Sequence, residues 1–212
     1  SSGLADVVFT PLLIDTAEHV FDRKHRGMMF ALIRHPVYRV ISQFYYLSRA
    51  TWEPTYNPLY ANMTVQEWAQ TPYVESNWMV RSLVGKMEAP LTKDDIEAAK
   101  YILRKKCLVG LLDEMDESVM RFRKYFGFGT QGAGSRDQAE CVRNMTIGEG
   151  GKGSNHNTYS SAIEPGDDTW KTLKRKNNAD MHLYQYAKVL FEEQRSLVEG
   201  KLNVVGAVKS QQ

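Results

Sequence analysis

Cysteine is nearly missing from this chain: among 212 residues only Cys107 and Cys141 carry a thiol. Two thiols cannot build the dense disulfide framework of a small secreted scaffold, and their spacing does not decide whether one bridge joins them. Long apolar runs are missing too. Nothing approaches the roughly 18 residues that span a bilayer, and the start lacks a signal-peptide pattern. Charge of one sign is hardly in excess, with 27 basic against 25 acidic residues and a net charge of +2. So small an imbalance points to no nucleic-acid or membrane partner, and any anion site has to be local. No Cys/His cluster has metal-ligand spacing, so no metal is expected. No repeat of period 20 to 50 is present, which excludes a solenoid.

What is present is ordinary globular material: 42% hydrophobic, 11% aromatic and 25% charged residues. The length suits a single domain, residues 1–212, able to bury a core without metals or staples. The segment VVFTPLLI (7–14) reads as a strand or extended stretch, and 15–26, with mixed charge at helical spacing, as a helix that Gly27 ends. MMFALI (28–33) is a continuous apolar run, as expected of a parallel strand buried on both faces. From Val37 the apolar residues recur every three or four positions, and Pro36 fits the first helical position. A strand feeding a helix in this way is an α/β signature.

Further along, residues 50–62 read as an ordered loop rich in Pro, Asn and aromatics. Thr64 and Glu67 form a capping box for a helix behind them. YVESNWMVRSLVG reads as a helix stopped by Gly85, with Asn77 and Arg81 four apart. LTKDDIEAAKYILRKK has a Thr92 cap, acidic residues in its first turn and basic ones in its last. CLVGLL then reads as a second buried strand and DESVMRFRKYFGF as the helix after it. Residues 129–161 form a long Gly/Ser/Asn-rich loop. The tail from Asp168 carries a long helical pattern with Leu183, Tyr184, Ala187, Leu190 and Phe191 on one face.

The candidate chemistry begins at Arg34. An arginine at the carboxyl end of a parallel strand faces the crevice where α/β sheets bind ligands, and its planar fork of donors suits a phosphate. Ser42, two turns into the next helix, is able to donate to the same anion. In GEGGKGSNHN the glycines permit sharp turns that offer successive N–H groups, and Lys152 adds charge. Of the five histidines, His19, His25, His35, His156 and His182, none is marked as a base by its neighbours. Asn62-Met63-Thr64 and Asn144-Met145-Thr146 are glycan-acceptor triplets that would suit a lumenal protein, and such triplets also arise often by chance.

The pattern Arg34-x-Pro36-x-x-Arg39-x-x-Ser42-x-Phe44 after a buried strand resembles the 3′-phosphate-binding segment of sulfotransferases that use 3′-phosphoadenylyl sulfate. NWMVRSLVG, the run from Asp94 to Gly127 and NADMHLYQYAKVLFEE look like later segments of the carbohydrate-type, Golgi-resident members. The resemblance covers roughly residues 28–195 in the family's order. It implies that Arg34 and Ser42 hold the 3′-phosphate, with Pro36 and Arg39 structural. It implies that Lys152, Gly153 and Ser154 fold over the nucleotide, and that Asn77 and Arg81 line the cleft and touch substrate. The implied activity is transfer of a sulfuryl group to a hydroxyl of a glycan. The product nucleotide is adenosine 3′,5′-bisphosphate, no metal is required, and the setting is the Golgi lumen or secretory pathway.

One departure is large. The family's phosphosulfate-binding loop, Lys-x-Gly-x-Ser/Thr, does not occur in residues 1–212. The expected fold is therefore an α/β parallel sheet flanked by helices, the P-loop-like sulfotransferase fold, without its amino-terminal strand–loop–helix. That part, with any membrane anchor, is expected upstream of Ser1. The family's base has its nearest counterpart near Thr10 and Pro11, which cannot act as one, and Asp15, Glu18 and His19 carry no match to it. A rival reading is a non-catalytic module binding a nucleotide or a sulfated glycan. A nucleotide-kinase-like transferase is disfavoured because no Walker-type loop is found.

Overall fold

A computed structural model of the protein describes residues 10, 13–22, 27–127 and 163–198. The loop 129–161, with Cys141, the Asn144 triplet, Lys152, Gly153 and Ser154, lies outside these residues, as do Val7, Val8 and Phe9.

The described part is mixed α/β and mostly helical. Helix α1 spans Leu13–His19, so it starts inside the stretch expected to be extended. Ile14 belongs to a helix because it packs beside Gly85 at the end of α4 (Trp78–Val84) rather than in a sheet. Strand β1 (Met29–Ile33) pairs in parallel with β2 (Cys107–Leu111), register running from Met29↔Cys107 to Ile33↔Leu111. Between them lie α2 (Pro36–Leu47), α3 (Val65–Gln70), α4 and α5 (Lys93–Lys106). A 3₁₀ turn (Leu112–Glu114) leads from β2 into α6 (Met115–Phe126), and α7 (Asp168–Lys176) and α8 (Asn178–Glu193) follow.

Local chemistry placed most helix ends. Pro36 opens α2, and the Thr64–Glu67 and Thr92–Asp95 capping boxes both form. Asn62 is exposed at the end of a 3₁₀ turn, Pro58–Asn62, within the aromatic loop. The tail breaks into two helices instead of one. Buried Asn177 leaves helical backbone at φ −112° and ψ 33°, and its amide donates to the Leu173 carbonyl at 3.1 Å.

The two strands differ in burial. All five residues of β2 are buried, whereas Leu32 of β1 is 41% exposed, against the expectation of a strand covered on both faces. Strand alternation explains it. Met29, Ala31 and Ile33 meet the core under α4, α5 and α8. On the opposite face α6 covers Phe30 through Phe122 and Phe126, at ring-centroid distances of 4.6 and 5.8 Å. That cover stops short of Leu32.

The outer edge of β2 is closed by a side chain. The Gln194 amide accepts from Val109 N–H at 2.8 Å and donates to the Cys107 carbonyl at 2.9 Å, as a neighbouring strand would. Cys107 is a free, buried thiol, and burial pushes its pKa up to about 12. A second core, built on Val37, Val40, Ile41, Phe44, Trp68 and Leu173, joins α2, α3 and α7.

Gly110 is a point of close approach between β2 and α6. A Cβ there would stand 2.5 Å from Phe122 Cζ and 2.9 Å from Ser118 Cβ, while Ser118 Oγ both donates to and accepts from the Leu111 backbone. Gly110→Ala is expected to destabilise the fold by about 1–3 kcal/mol through overpacking, measured by urea unfolding. An unchanged midpoint would show that α6 is free to shift.

Candidate functional site

The two parallel strands deliver their following residues to one edge. Ile33 lies opposite Leu111, so Arg34 and His35 leave β1 beside the turn that carries Asp113 out of β2. Ligands in α/β sheets bind at this carboxyl edge.

Arg34 is half-buried, and no hydrogen bond or ion pair holds its guanidinium among the described residues. Burial lowers its pKa, the Asp113 charge opposes that shift, and Arg39 adds to it. Ser42 lies on the partly exposed face of α2, one turn beyond Tyr38, and its hydroxyl likewise has no partner among the described residues. Pro36 and Arg39 are taken up by the fold. Pro36 starts α2, and Arg39 pairs with Glu75 at 2.9 Å over the ring of Trp78.

The centre of this edge is His35, which the sequence did not single out. Its ring stacks on Trp170 of α7 at 5.2 Å, meets Tyr38 of α2 at 5.2 Å and faces the edge of Tyr184 of α8 at 5.1 Å. Its Nδ1 is buried without a partner. Burial lowers its pKa, Asp113 works the other way, and the charges of Lys174 and Lys188 lower it further. The ring is therefore neutral at pH 7. The Tyr184 hydroxyl donates to Asp113 at 2.6 Å, and burial followed by that carboxylate raises the tyrosine's pKa. The signal that could have found these residues is a repeated spacing: Trp170 with Lys174, and Tyr184 with Lys188, each an aromatic and a cation one helical turn apart.

Asn77 and Arg81 have other duties. Asn77 sits outside α4, at its N-cap, in left-handed backbone (φ 54°), a conformation asparagine tolerates better than most residues. Its Oδ1 accepts the N–H groups of Ala179 and Asp180 at 2.9 and 3.3 Å, in the first turn of α8. Its own N–H donates to Asn177 Oδ1 at 2.9 Å. In return, the Asp180 carboxylate accepts the N–H groups of Met79 and Val80 at 3.0 and 2.9 Å, in the first turn of α4. Each helix start is thus capped by a side chain from the other. Arg81 donates to the carbonyls of Ser76, Lys86 and Ala89 at 2.9, 3.0 and 2.7 Å. Both side chains are committed to backbone of this chain, and the arginine bonds carbonyls rather than a surface carboxylate.

The other candidates are scattered. His19 ends α1 with its Nδ1 2.8 Å from the Asp15 carbonyl, and Asp15, Glu18 and His182 are exposed. His25 and His156 lie outside the described residues. Among the described residues no group of three or more His, Cys, Asp or Glu is placed to hold a metal ion. Among them, too, no helix is long and apolar enough to cross a membrane. Comparison with protein-family models, curated proteins and solved structures found no match.

Proposed function

We propose that this chain is part of a sulfotransferase, binding 3′-phosphoadenylyl sulfate at the carboxyl edge of the strand pair and serving a glycan hydroxyl in the secretory pathway. The observation that carries the reading is Arg34. It is a half-buried guanidinium at a strand end with no internal partner among the described residues, and it stands in a motif that resembles the family's 3′-phosphate segment. A partly desolvated arginine with no hydrogen-bonded partner is costly unless a ligand supplies one, and a phosphate matches its fork of donors. Ser42, equally uncommitted, adds a hydroxyl donor.

In this reading Arg34 and Ser42 fix the position of the donor and take no part in bond making. Sulfuryl transfer would break the bond from sulfur to the bridging phosphate oxygen and form one to the acceptor oxygen, whose proton goes to a base. The absence of Lys-x-Gly-x-Ser/Thr from residues 1–212 favours a second reading, a module that binds the nucleotide or a sulfated glycan without catalysis. Turnover of the donor by this chain with a glycan acceptor separates the two.

The test of the common premise is calorimetry. Adenosine 3′,5′-bisphosphate is expected to bind and to weaken about 10- to 100-fold in Arg34→Ala, the loss of a charge-assisted fork, whereas 5′-AMP binding changes little. Equal loss for both nucleotides would sink the assignment. Arg34→Ala removes no hydrogen bond or ion pair among the described residues, so the variant is expected to fold.

A further inference from the structure

Two lysines next to His35 have no role in the fold. Lys174 follows Trp170 by one turn of α7, and Lys188 follows Tyr184 by one turn of α8. The two aromatic rings meet the same imidazole, one stacked and one edge-on, so the lysines that follow them approach it from two helices, and the charges of both act on it. Both are exposed, and neither ammonium group makes a hydrogen bond or ion pair among the described residues.

Nearby lysines behave differently. Lys171 pairs with Asp168 at 3.0 Å, Lys176 donates to the Thr71 carbonyl at 2.6 Å, and Lys100 pairs with Glu97 at 2.7 Å. The carboxylate closest in role to a counter-ion, Asp113, already accepts the Tyr184 hydroxyl. Asp113 keeps its negative charge and works against the two lysines at His35, yet neither ammonium has a partner of its own, and two cations beside one neutral ring favour an anion. The imidazole adds a donor. With Nδ1 buried and unpartnered, its proton is kept on Nε2, because an unbonded buried N–H costs more than an unbonded lone pair.

We propose that Lys174, Lys188 and the Nε2–H of His35 form a binding subsite for a tetrahedral oxyanion, phosphate or sulfate, beside Arg34 at the carboxyl edge of the strand pair. A carboxylate offers two oxygens in one plane, whereas a phosphate or sulfate group offers three or more in a tetrahedral array, enough for three donors. The subsite lies at the same carboxyl edge as the proposed nucleotide site but is defined by its own residues and does not need a nucleotide to exist.

The experiment follows His35 by NMR titration in the whole chain, its signals assigned from the spectrum of His35→Gln. Inorganic sulfate is expected to raise the His35 pKa in the wild type. In Lys174→Met/Lys188→Met the pKa starts higher, since two repelling charges are gone, and the sulfate affinity read from the shift falls at least about tenfold. Lys171→Met, one turn away and paired with Asp168, should behave as wild type. An unmoved His35 in saturating sulfate, or an equal response in the double variant, overturns the subsite. Displacement of sulfate by adenosine 3′,5′-bisphosphate names a nucleotide phosphate as the source, and displacement by a sulfated monosaccharide names a sulfate ester. Displacement by neither marks an adventitious ion only and also overturns it. An Arg34 effect on bisphosphate binding that persists while the lysine effect is missing removes this subsite and leaves the nucleotide reading in place.

Discussion

Asp180→Ala is expected to destabilise the protein by about 2–4 kcal/mol at pH 4, because the Met79 and Val80 N–H groups lose their acceptor where water cannot replace it. The carboxylate is fully buried, and burial pushes its pKa up from 3.8 to about 6, with the two N–H bonds and Arg39 pulling down and Glu75 pushing further up. The direction fixes the pH dependence. A group whose folded pKa lies above its unfolded value binds its proton more tightly in the folded chain. The stabilisation from Asp180 is therefore full below its unfolded pKa of 3.8 and is lost as pH rises through about 6. That loss amounts to about 3 kcal/mol between the two limits.

Asp180→Asn keeps one carbonyl acceptor and cannot ionise. Measured by urea unfolding at several pH values, the wild type minus Asn difference should shrink between pH 4 and pH 7. A difference that does not vary with pH would mean that Asp180 ionises freely in the fold. Asn77→Ala acts on the partner cap, and because each side chain holds the start of the other's helix the double variant should cost less than the two single losses summed.

The opposite end of α8 carries the second large effect. Arg121 is 1% exposed, donates through Nη1 to the Phe191 carbonyl and through Nε to Glu117 at 3.0 Å, and lies 3.6 Å from the Phe191 ring. Phe191 is in the last turn of α8, where carbonyls have no intrahelical partner, so the guanidinium closes that helix. Arg121→Met nearly conserves volume but leaves a buried carbonyl without a donor and Glu117 without its main cation. It is expected to cost about 3 kcal/mol, towards the lower end for breaking a buried pair because Glu117 retains some access to water. A change in unfolding free energy below about 1 kcal/mol, the range of ordinary surface substitutions, would refute it.

These two clamps bear on the functional edge. The capping exchange fixes where α8 begins, and Arg121 and Gln194 fix where it ends against β2. Between them sit Tyr184, bonded to Asp113, and Lys188. Either destabilised variant, still folded, should therefore also disturb the His35 titration.

Short-range chemistry made much of this protein legible. Caps, a first-position proline and a stop glycine act within a few residues, so the Thr64 and Thr92 capping boxes, the start of α2 at Pro36 and the end of α4 at Gly85 lie where the sequence puts them, whereas α1 ends at His19, well before Gly27. The same locality placed Arg34 at a strand end and Ser42 in the following helix. Continuous apolar runs followed by helices also gave the parallel character of β1 and β2, but they did not reveal that Leu32 stands uncovered, because cover comes from a helix that ends elsewhere.

What only the tertiary structure decided are pairings across long separations. Nothing within reach of Asn77 in sequence shows that its amide caps a helix beginning a hundred residues later. His35 was one of five equivalent histidines until Trp170, Tyr184 and Tyr38 closed around it. Lys174 and Lys188 carry no signal of their own in the sequence, since a cation's role depends on what it faces and not on its neighbours along the chain. The sequence by itself determined both strands, most of the helices and one arginine at a strand end. The fold decided which other side chains share that edge, because hydrogen bonds and charges act across a few ångströms of space, however far apart the residues lie along the chain.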